Sequence, residues 1–349
     1  MAGSEKTRRE ILTGGRGEPP IQPEAGATLR LSIHAMACDF GVAVNAGHTD
    51  LLLACGTALE VVPEIEAWLS SHQPTSELSQ LNHLAGRNPV EVSDQLFQVL
   101  QQAAELYRRT DGTFDMASGA QIQLWRRCRS ERRIPTGDEI QAALAAPGMS
   151  QITLLPETRE VSLPTPGLSL DPGAIGKGYA LDRTIHIIEE ASSAPADFMI
   201  HGGRSSVVAR GEHNGLPGWP VGIGNPLLTK RRLGTVILNN QAMSTSGSNT
   251  QFFRCDGRRY GHILNPRTGW PVDGMLSVTV LATSAAVADA VSTAFFVLGV
   301  EKAVECCDNW SEIGAILVPF PEKGARVKPV VVGIPEEQLF WDEGQVALN

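Results

Sequence analysis

Residues 169–182, Ser-Leu-Asp-Pro-Gly-Ala-Ile-Gly-Lys-Gly-Tyr-Ala-Leu-Asp, constrain the path of this chain more than any other stretch. Gly173, Gly176, Gly178 and Lys177 lie between an acidic residue, Asp171, and a helical pattern in which Leu181, Ile185 and Ile188 fall at i, i+4 and i+7. A glycine-rich turn that opens a helix presents backbone N–H groups and the positive end of the dipole, which suits a phosphate. The spacing is neither a P-loop nor a Gly-x-Gly-x-x-Gly fingerprint. Taken alone, the stretch reads either as a phosphate cradle or as a tight strand-to-helix turn with no ligand.

The bulk properties exclude several classes. At 349 residues, 42% hydrophobic and 19% charged, the chain can bury a core without disulfides or a structural metal. A net charge of −9 argues against nucleic-acid binding. The short basic clusters, Arg126-Arg127-Cys128-Arg129, Arg132-Arg133 and Lys230-Arg231-Arg232, each read as a solvated face or loop. None of the six cysteines shows Cys-x-x-Cys spacing, so free thiols in a reducing compartment are expected rather than a zinc site. No apolar run approaches the roughly 18 residues of a membrane span. Thr7-Arg8-Arg9-Glu10-Ile11-Leu12 echoes the start of a twin-arginine export signal, but Gly14 to Pro20 follows where an apolar region is required. Residues 1–27 are therefore read as a flexible arm and the location as cytoplasmic, with a periplasmic one as the alternative.

Strand and helix patterns are mixed along the rest of the chain. A strand pattern covers Leu29 to Val44, interrupted around Met36–Asp39, and a helix from Leu51 to Ser70 should kink or restart at Pro63. Ser93 caps a helix with Leu96, Leu100, Ala103 and Tyr107 on its inner face, ended by Asp111-Gly112. Asp138–Ala146 reads as a short helix, followed by a hairpin at 151–155 and 160–163. Strands follow at 198–200, 205–210, 219–223, 234–238 and 277–281, then a helix from Ser284 to Leu298 closed by Gly299, then a buried strand at Gly314–Pro319. Strict βαβ alternation is absent, so the fold class is α+β, with one compact domain over 28–340.

Four further segments bear on chemistry. Asp289, Ser292 and Thr293 lie at i, i+3 and i+4 in an otherwise apolar helix. A carboxylate in such a setting is costly unless it is paired or coordinates a cation, and hard oxygens suit Mg²⁺; the plainer reading is a hydrogen-bonded Asp that anchors a loop. His262 precedes Asn265-Pro266-Arg267-Thr268-Gly269, a turn sequence, and a histidine at a strand end can serve as a general base or be purely structural. Gly112-Thr113-Phe114-Asp115 can contact a ring or cap a turn, and Met243–Ser248 reads as a hydroxyl-rich turn. No Gly-x-Ser-x-Gly elbow frames Ser246, which rejects hydrolase chemistry of that kind.

Taken in order, these segments resemble the FAD:protein FMN transferase (ApbE-type) family. The matching segments are Ser76–Asn82, Gly112–Trp125, Asp171–Asp182, Gly202-Gly203, Trp219–Pro226, Thr245–Gly247, His262–Gly269 and Ala288–Thr293. The resemblance covers roughly residues 34–318 and implies an ApbE-like fold. It also implies a reaction: Mg²⁺-dependent transfer of FMN from FAD to a threonine hydroxyl of an acceptor flavoprotein, with release of AMP. Asp289, Ser292, Thr293 and the carbonyl of Ala174 would then hold the metal. Asp171 and Lys177 would face FAD; Met36, Thr113, Phe114, Asp115 and Ile263 would line its pocket; His262 would be the base. Several positions depart from the family pattern: Met36-Ala37-Cys38 for Met-Gly-Thr, His72 for an aromatic, Met116-Ala117 for Pro-Thr, Ile200 for Asn, Arg204 for Asp or Asn, and Ser248 for Asp. FAD hydrolysis to FMN and AMP, or flavin binding without catalysis, are the alternatives these departures keep open.

Overall fold

The strand pattern at the start of the chain becomes a hairpin, β1 (Thr28–Ala35) and β2 (Cys38–Asn45), turned at Met36 and Ala37, which both adopt positive φ (50° and 59°). This is the turn geometry whose twist matches paired strands, and it normally recruits glycine or asparagine. The computed structural model describes residues 27–146, 148–191, 196–228, 230–248, 252–321, 326–342, 344 and 346. Apart from its last residue, the N-terminal arm expected over 1–27 lies outside the described residues.

Helices α1 (Thr49–Ala58) and α2 (Val61–Leu69) replace the single helix expected over Leu51–Ser70. Pro63 is the third residue of α2, in the first turn, where a missing N–H removes no intrahelical bond. The chain continues through α3 (Glu77–His83), β3 (Val90–Glu91) and α4 (Asp94–Arg109), with Ser93 capping α4 as expected by accepting from Leu96 N–H at 3.3 Å. Then come α5 (Gly119–Ser130) and α6 (Gly137–Leu144), the latter held by a Thr136–Glu139 capping box. The hairpin β4 (Thr153–Leu155) and β5 (Glu160–Ser162) leads to α7 (Gly176–Ala191), the helix that the glycine-lysine turn opens.

The second half supplies β6 (Phe198–Gly202), β7 (Ser206–Arg210), β8 (Trp219–Gly224), β9 (Arg232–Leu238), β10 (Gln241–Gly247), β11 (Phe252–Cys255), β12 (Arg258–Gly261) and β13 (Met275–Ala282). It ends with α8 (Ala285–Leu298), α9 (Val300–Asp308), β14 (Gly314–Pro319), β15 (Val330–Val332) and β16 (Leu339–Trp341). Eight strands form one antiparallel sheet in the order β1-β2-β6-β7-β10-β13-β14-β15. The α+β class read from the sequence is the class observed.

Both faces of this sheet are covered. Val42, Ile200, Val208, Ala242, Val280 and Leu317 face a core shared with α7 and α8. Their sequence neighbours Ala43, Val207, Ala209, Met243, Leu281 and Ile316 face a second core, shared with the small sheet β16-β9-β8. The period of two in the pleat sorts residues between these layers. A third cluster of Leu124, Trp125, Cys128, Ile140 and Tyr260 joins α5 and α6 to the β11–β12 hairpin.

Several elements differ from the sequence reading. Of Met243–Ser248, read as a turn, all but Ser248 belongs to β10, a central strand. Its inward residues Ser244 and Ser246 are hydroxyls, so the apolar alternation that marks a strand is missing. α3, which forms inside the polar segment 72–88 that reads as a loop, and β3, α5, the β11–β12 hairpin, β15 and β16 also lay outside the expected elements, while α9 takes in the helical pattern around Cys306 and Cys307.

Candidate active site

Asp289 stands where α8 crosses β7 and β10, and it is only 5% exposed. Its Oδ1 accepts from Ser244 Oγ at 2.8 Å and from Ser206 Oγ at 3.2 Å. Ser206 and Ser244 are register partners on adjacent strands, so the pleat delivers both hydroxyls to one carboxylate oxygen. The Asp289 Oδ2 accepts from the backbone N–H of Gly178 at 3.3 Å and lies 3.6 Å from Lys177 Nζ. A buried carboxylate needs such hydrogen bonds and a counter-charge.

Gly178 is required for this approach. A Cβ at that position would sit 2.2 Å from the Ala285 carbonyl oxygen, so only glycine lets α7 and α8 come this close. The two helices are also locked end to side by Asp182. Its carboxylate accepts from Ala285 N–H (2.7 Å), Ala286 N–H (2.9 Å) and Ser284 Oγ (2.7 Å), the first groups of α8. Burial pushes the Asp182 carboxyl above its ordinary value, against the lowering effect of these hydrogen bonds.

One turn further along α8, Thr293 and Ser292 meet Ser246: the Ser246 and Ser292 hydroxyl oxygens are 2.9 Å apart, and those of Ser246 and Thr293 are 3.1 Å apart. The hydroxyls of Ser292 and Thr293 also donate to the Asp289 carbonyl, at 2.9 and 3.3 Å. Sequence reasoning placed Asp289, Ser292, Thr293 and Lys177 here but missed Ser206, Ser244 and Ser246 as their partners. The available signal was the spacing of Ser244 and Ser246 by two.

Asp171 anchors the glycine turn. Its Oδ1 accepts from Gly173 N–H at 2.9 Å, and its Oδ2 from Ser71 Oγ at 3.1 Å, with Arg126 3.5 Å away. The preceding residue, Leu170, is clamped both ways by Asn82, at 2.7 and 2.9 Å. Ala174 is half-buried in this turn, four residues before Gly178. At the β1–β2 turn, Met36 N–H donates to Glu66 at 2.7 Å. Burial pushes the Cys38 thiol up, partly offset by the positive charge of Lys177.

The remaining pocket residues are placed differently. Phe114 is 2% exposed within the main core, Ile263 is buried beside that core, and Thr113 donates its hydroxyl to the Thr110 carbonyl at 2.7 Å. Asp115 accepts from Ala117 N–H at 2.8 Å and Met149 N–H at 3.1 Å, and burial pushes its carboxyl up to about 6. His262 is exposed, directly after β12. The loop that follows it is fixed by Trp125 Nε1–H, which donates to the Gly269 carbonyl at 2.7 Å, and by Gln121 Nε2–H, which donates to the Pro266 carbonyl at 3.0 Å.

Among the described residues no group of three or more His, Cys, Asp or Glu side chains is placed to hold a metal. The donors gathered at Asp289 are one carboxylate and hydroxyls, all hard oxygens, the set that suits a Mg²⁺ ion keeping several of its ligands from water or substrate. No helix among the described residues is long and apolar enough to cross a membrane.

The chain resembles known proteins over most of its length. A protein with the name FAD:protein FMN transferase from Klebsiella pneumoniae is 34% identical over 80% of this chain and 85% of its own, and one from Haemophilus influenzae is 32% identical over 71% and 73%. Among solved structures, the ApbE protein of Thermotoga maritima superposes with a TM-score of 0.75 at 28% identity, covering 84% of this chain and 94% of that one. The flavin transferase ApbE of Vibrio cholerae gives 0.74 at 25% identity, covering 87% and 97%. The model of the ApbE family matches residues 30–317, so this chain belongs to the ApbE family, the family of these transferases.

Proposed function

We propose that this protein is a Mg²⁺-dependent FAD:protein FMN transferase whose working unit is residues 28–340. The observation that carries the reading is the convergence on Asp289 of the α7 N-terminus, Lys177 and the hydroxyl strand β10, beside Ser292 and Thr293. Phosphoryl transfer needs positioning and neutralised charge more than covalent help from the protein.

Lys177 places a cation, and the start of α7 the positive end of its dipole, where a pyrophosphate is to be held. Asp289, Thr293 and Ser292, with the Ala174 carbonyl, would hold Mg²⁺. When bound, the ion supplies charge neutralisation for the phosphates. Asp171 binds and orients FAD beside Lys177, with Met36, Thr113, Phe114, Asp115 and Ile263 shaping the surrounding pocket. His262 takes the proton of the acceptor threonine as its Oγ bonds to the FMN-side phosphorus; the bond to the AMP oxygen breaks, and AMP leaves.

The test is incubation of the purified protein with FAD and Mg²⁺, with and without a flavoprotein domain carrying an acceptor threonine. Flavin fluorescence that stays with the denatured acceptor, matched by AMP, supports transfer. AMP without an acceptor would show hydrolysis instead. If FAD neither binds nor turns over with the metal present, the reading is wrong.

A further inference from the structure

Residues 126–139 and 252–273 hold nine arginines and five acidic residues, a positive surplus in a chain of net charge −9. In the sequence they are separate short clusters, and the fold joins them. The Trp125 ring packs against Phe253 (6.1 Å between centroids), Tyr260 (5.6 Å) and Trp270 (5.4 Å), and Cys255 Sγ lies 3.6 Å from the Arg132 carbonyl. One face therefore carries the end of α5 and the β11–β12 hairpin.

Part of this charge is already matched. Arg126 pairs with Asp171, Arg267 with Asp111, Arg127 and Arg133 with Glu139, and Arg258 with Asp273 at 3.1 Å. Arg129, Arg132 and Arg254 are exposed and make no ion pair among the described residues. Arg254 stands directly opposite Arg259 in the hairpin register, and the Arg259 guanidinium is spent on the Phe252 ring and the Ser248 carbonyl. Like charges facing each other across an antiparallel pair cost stability, and an outside anion would relieve that cost. Alongside lies a cavity of about 250 Å³ lined by Arg258, Arg259, Tyr260, Trp270, Pro271 and Asp273, with Trp270 38% exposed. Exposed Trp and Arg side chains are the groups that anchor protein interfaces.

The same unit holds the loop that begins at His262, through Trp125 and Gln121. We infer that this face docks the acceptor protein, and that the acceptor segment it fits is rich in aspartate and glutamate beside its threonine. The inference rests on the transfer reading. A short acidic polypeptide suits the patch better than a long polyanion, because a duplex or an anionic bilayer would extend over the acidic remainder of the chain and be repelled.

The probe is a fluorescein-labelled peptide of alternating aspartate and serine around one threonine, titrated into the full chain and followed by anisotropy. Arg132→Glu with Arg254→Glu should weaken binding about tenfold, Arg132→Gln with Arg254→Gln by less, and added salt should weaken it in the native protein. FAD binding should stay unchanged in both variants, and thermal stability should not fall, since either change removes the Arg254–Arg259 repulsion. The same peptide with its carboxylates replaced by amides should not bind. The inference is overturned if the reversed variant binds the acidic peptide as the native protein does. It is equally overturned if a DNA duplex or phosphatidylglycerol vesicles bind more tightly than the peptide through the same arginines. Intact peptide binding with no FMN transfer from FAD to any threonine acceptor would instead sink the transfer reading and leave the docking face standing.

Discussion

Ser244 on a central strand donates a 2.8 Å hydrogen bond to Asp289 on the helix above it, and this contact joins the main sheet to the proposed phosphate-handling turn. Asp289→Ala would leave the Ser206 and Ser244 hydroxyls and Lys177 without their acceptor. We expect a loss of about 1–3 kcal/mol in stability and at least about a hundredfold loss in FMN transfer. Urea melts and acceptor fluorescence measure the two effects; a folded Asp289→Ala protein with native turnover would remove Asp289 from the site.

Trp125 acts on the His262 loop from a distance. Trp125→Phe keeps most of the ring stacking but deletes the hydrogen bond to the Gly269 carbonyl. Expected is a fall in kcat of about tenfold, as the base loses its fixed position, with FAD affinity unchanged. A variant that loses FAD binding and keeps kcat would show that Trp125 serves the pocket and not the loop.

Asp182→Ala should cost about 1–2 kcal/mol, because the first two N–H groups of α8 lose their acceptor while the Ser284 cap remains. Hydrogen exchange is the direct readout: protection should drop at Ala285 and Ala286 before it drops in the sheet. Uniform loss of protection across the chain would contradict a local capping role.

Asp115 gives stability a pH dependence of known sign. Burial raises its folded pKa to about 6, above the unfolded value of 3.8. The folded state therefore holds the proton more tightly, and the stability it contributes is full below about pH 4 and lost as the pH rises to about 6. Asp115→Asn removes this titration. Denaturant melts should show the variant gaining on the native protein across that window, by on the order of 2–3 kcal/mol. A difference that stays flat from pH 4 to 7 would refute it.

Ala37 sits at φ 59° in the β1–β2 turn, a left-handed conformation that penalises a Cβ. Ala37→Gly should raise stability by about 1 kcal/mol, read as an increase in the midpoint of thermal unfolding. An unchanged or lower midpoint would mean that glycine's greater freedom in the unfolded chain outweighs the relieved strain.

The sequence by itself determined the local pieces: the Ser93 cap, the strand pattern of the first hairpin, the glycine turn that opens α7, and Asp289, Ser292 and Thr293 in one short span of α8. These follow from short-range rules of spacing, capping and side-chain chemistry. Tertiary structure alone decided what those pieces meet. β10 was unreadable as a strand because its inward residues are serines that satisfy Asp289, so a buried polar site erased the apolar alternation that marks a strand. The basic face was unreadable for a different reason: its arginines come from segments far apart in the chain, and only the packing of Trp125 against the β11–β12 hairpin brings them together. The glycine-lysine turn lies between these cases. Its local form was legible, but its contact with Asp289 exists because Gly178 lacks the side chain that would hold α7 and α8 apart.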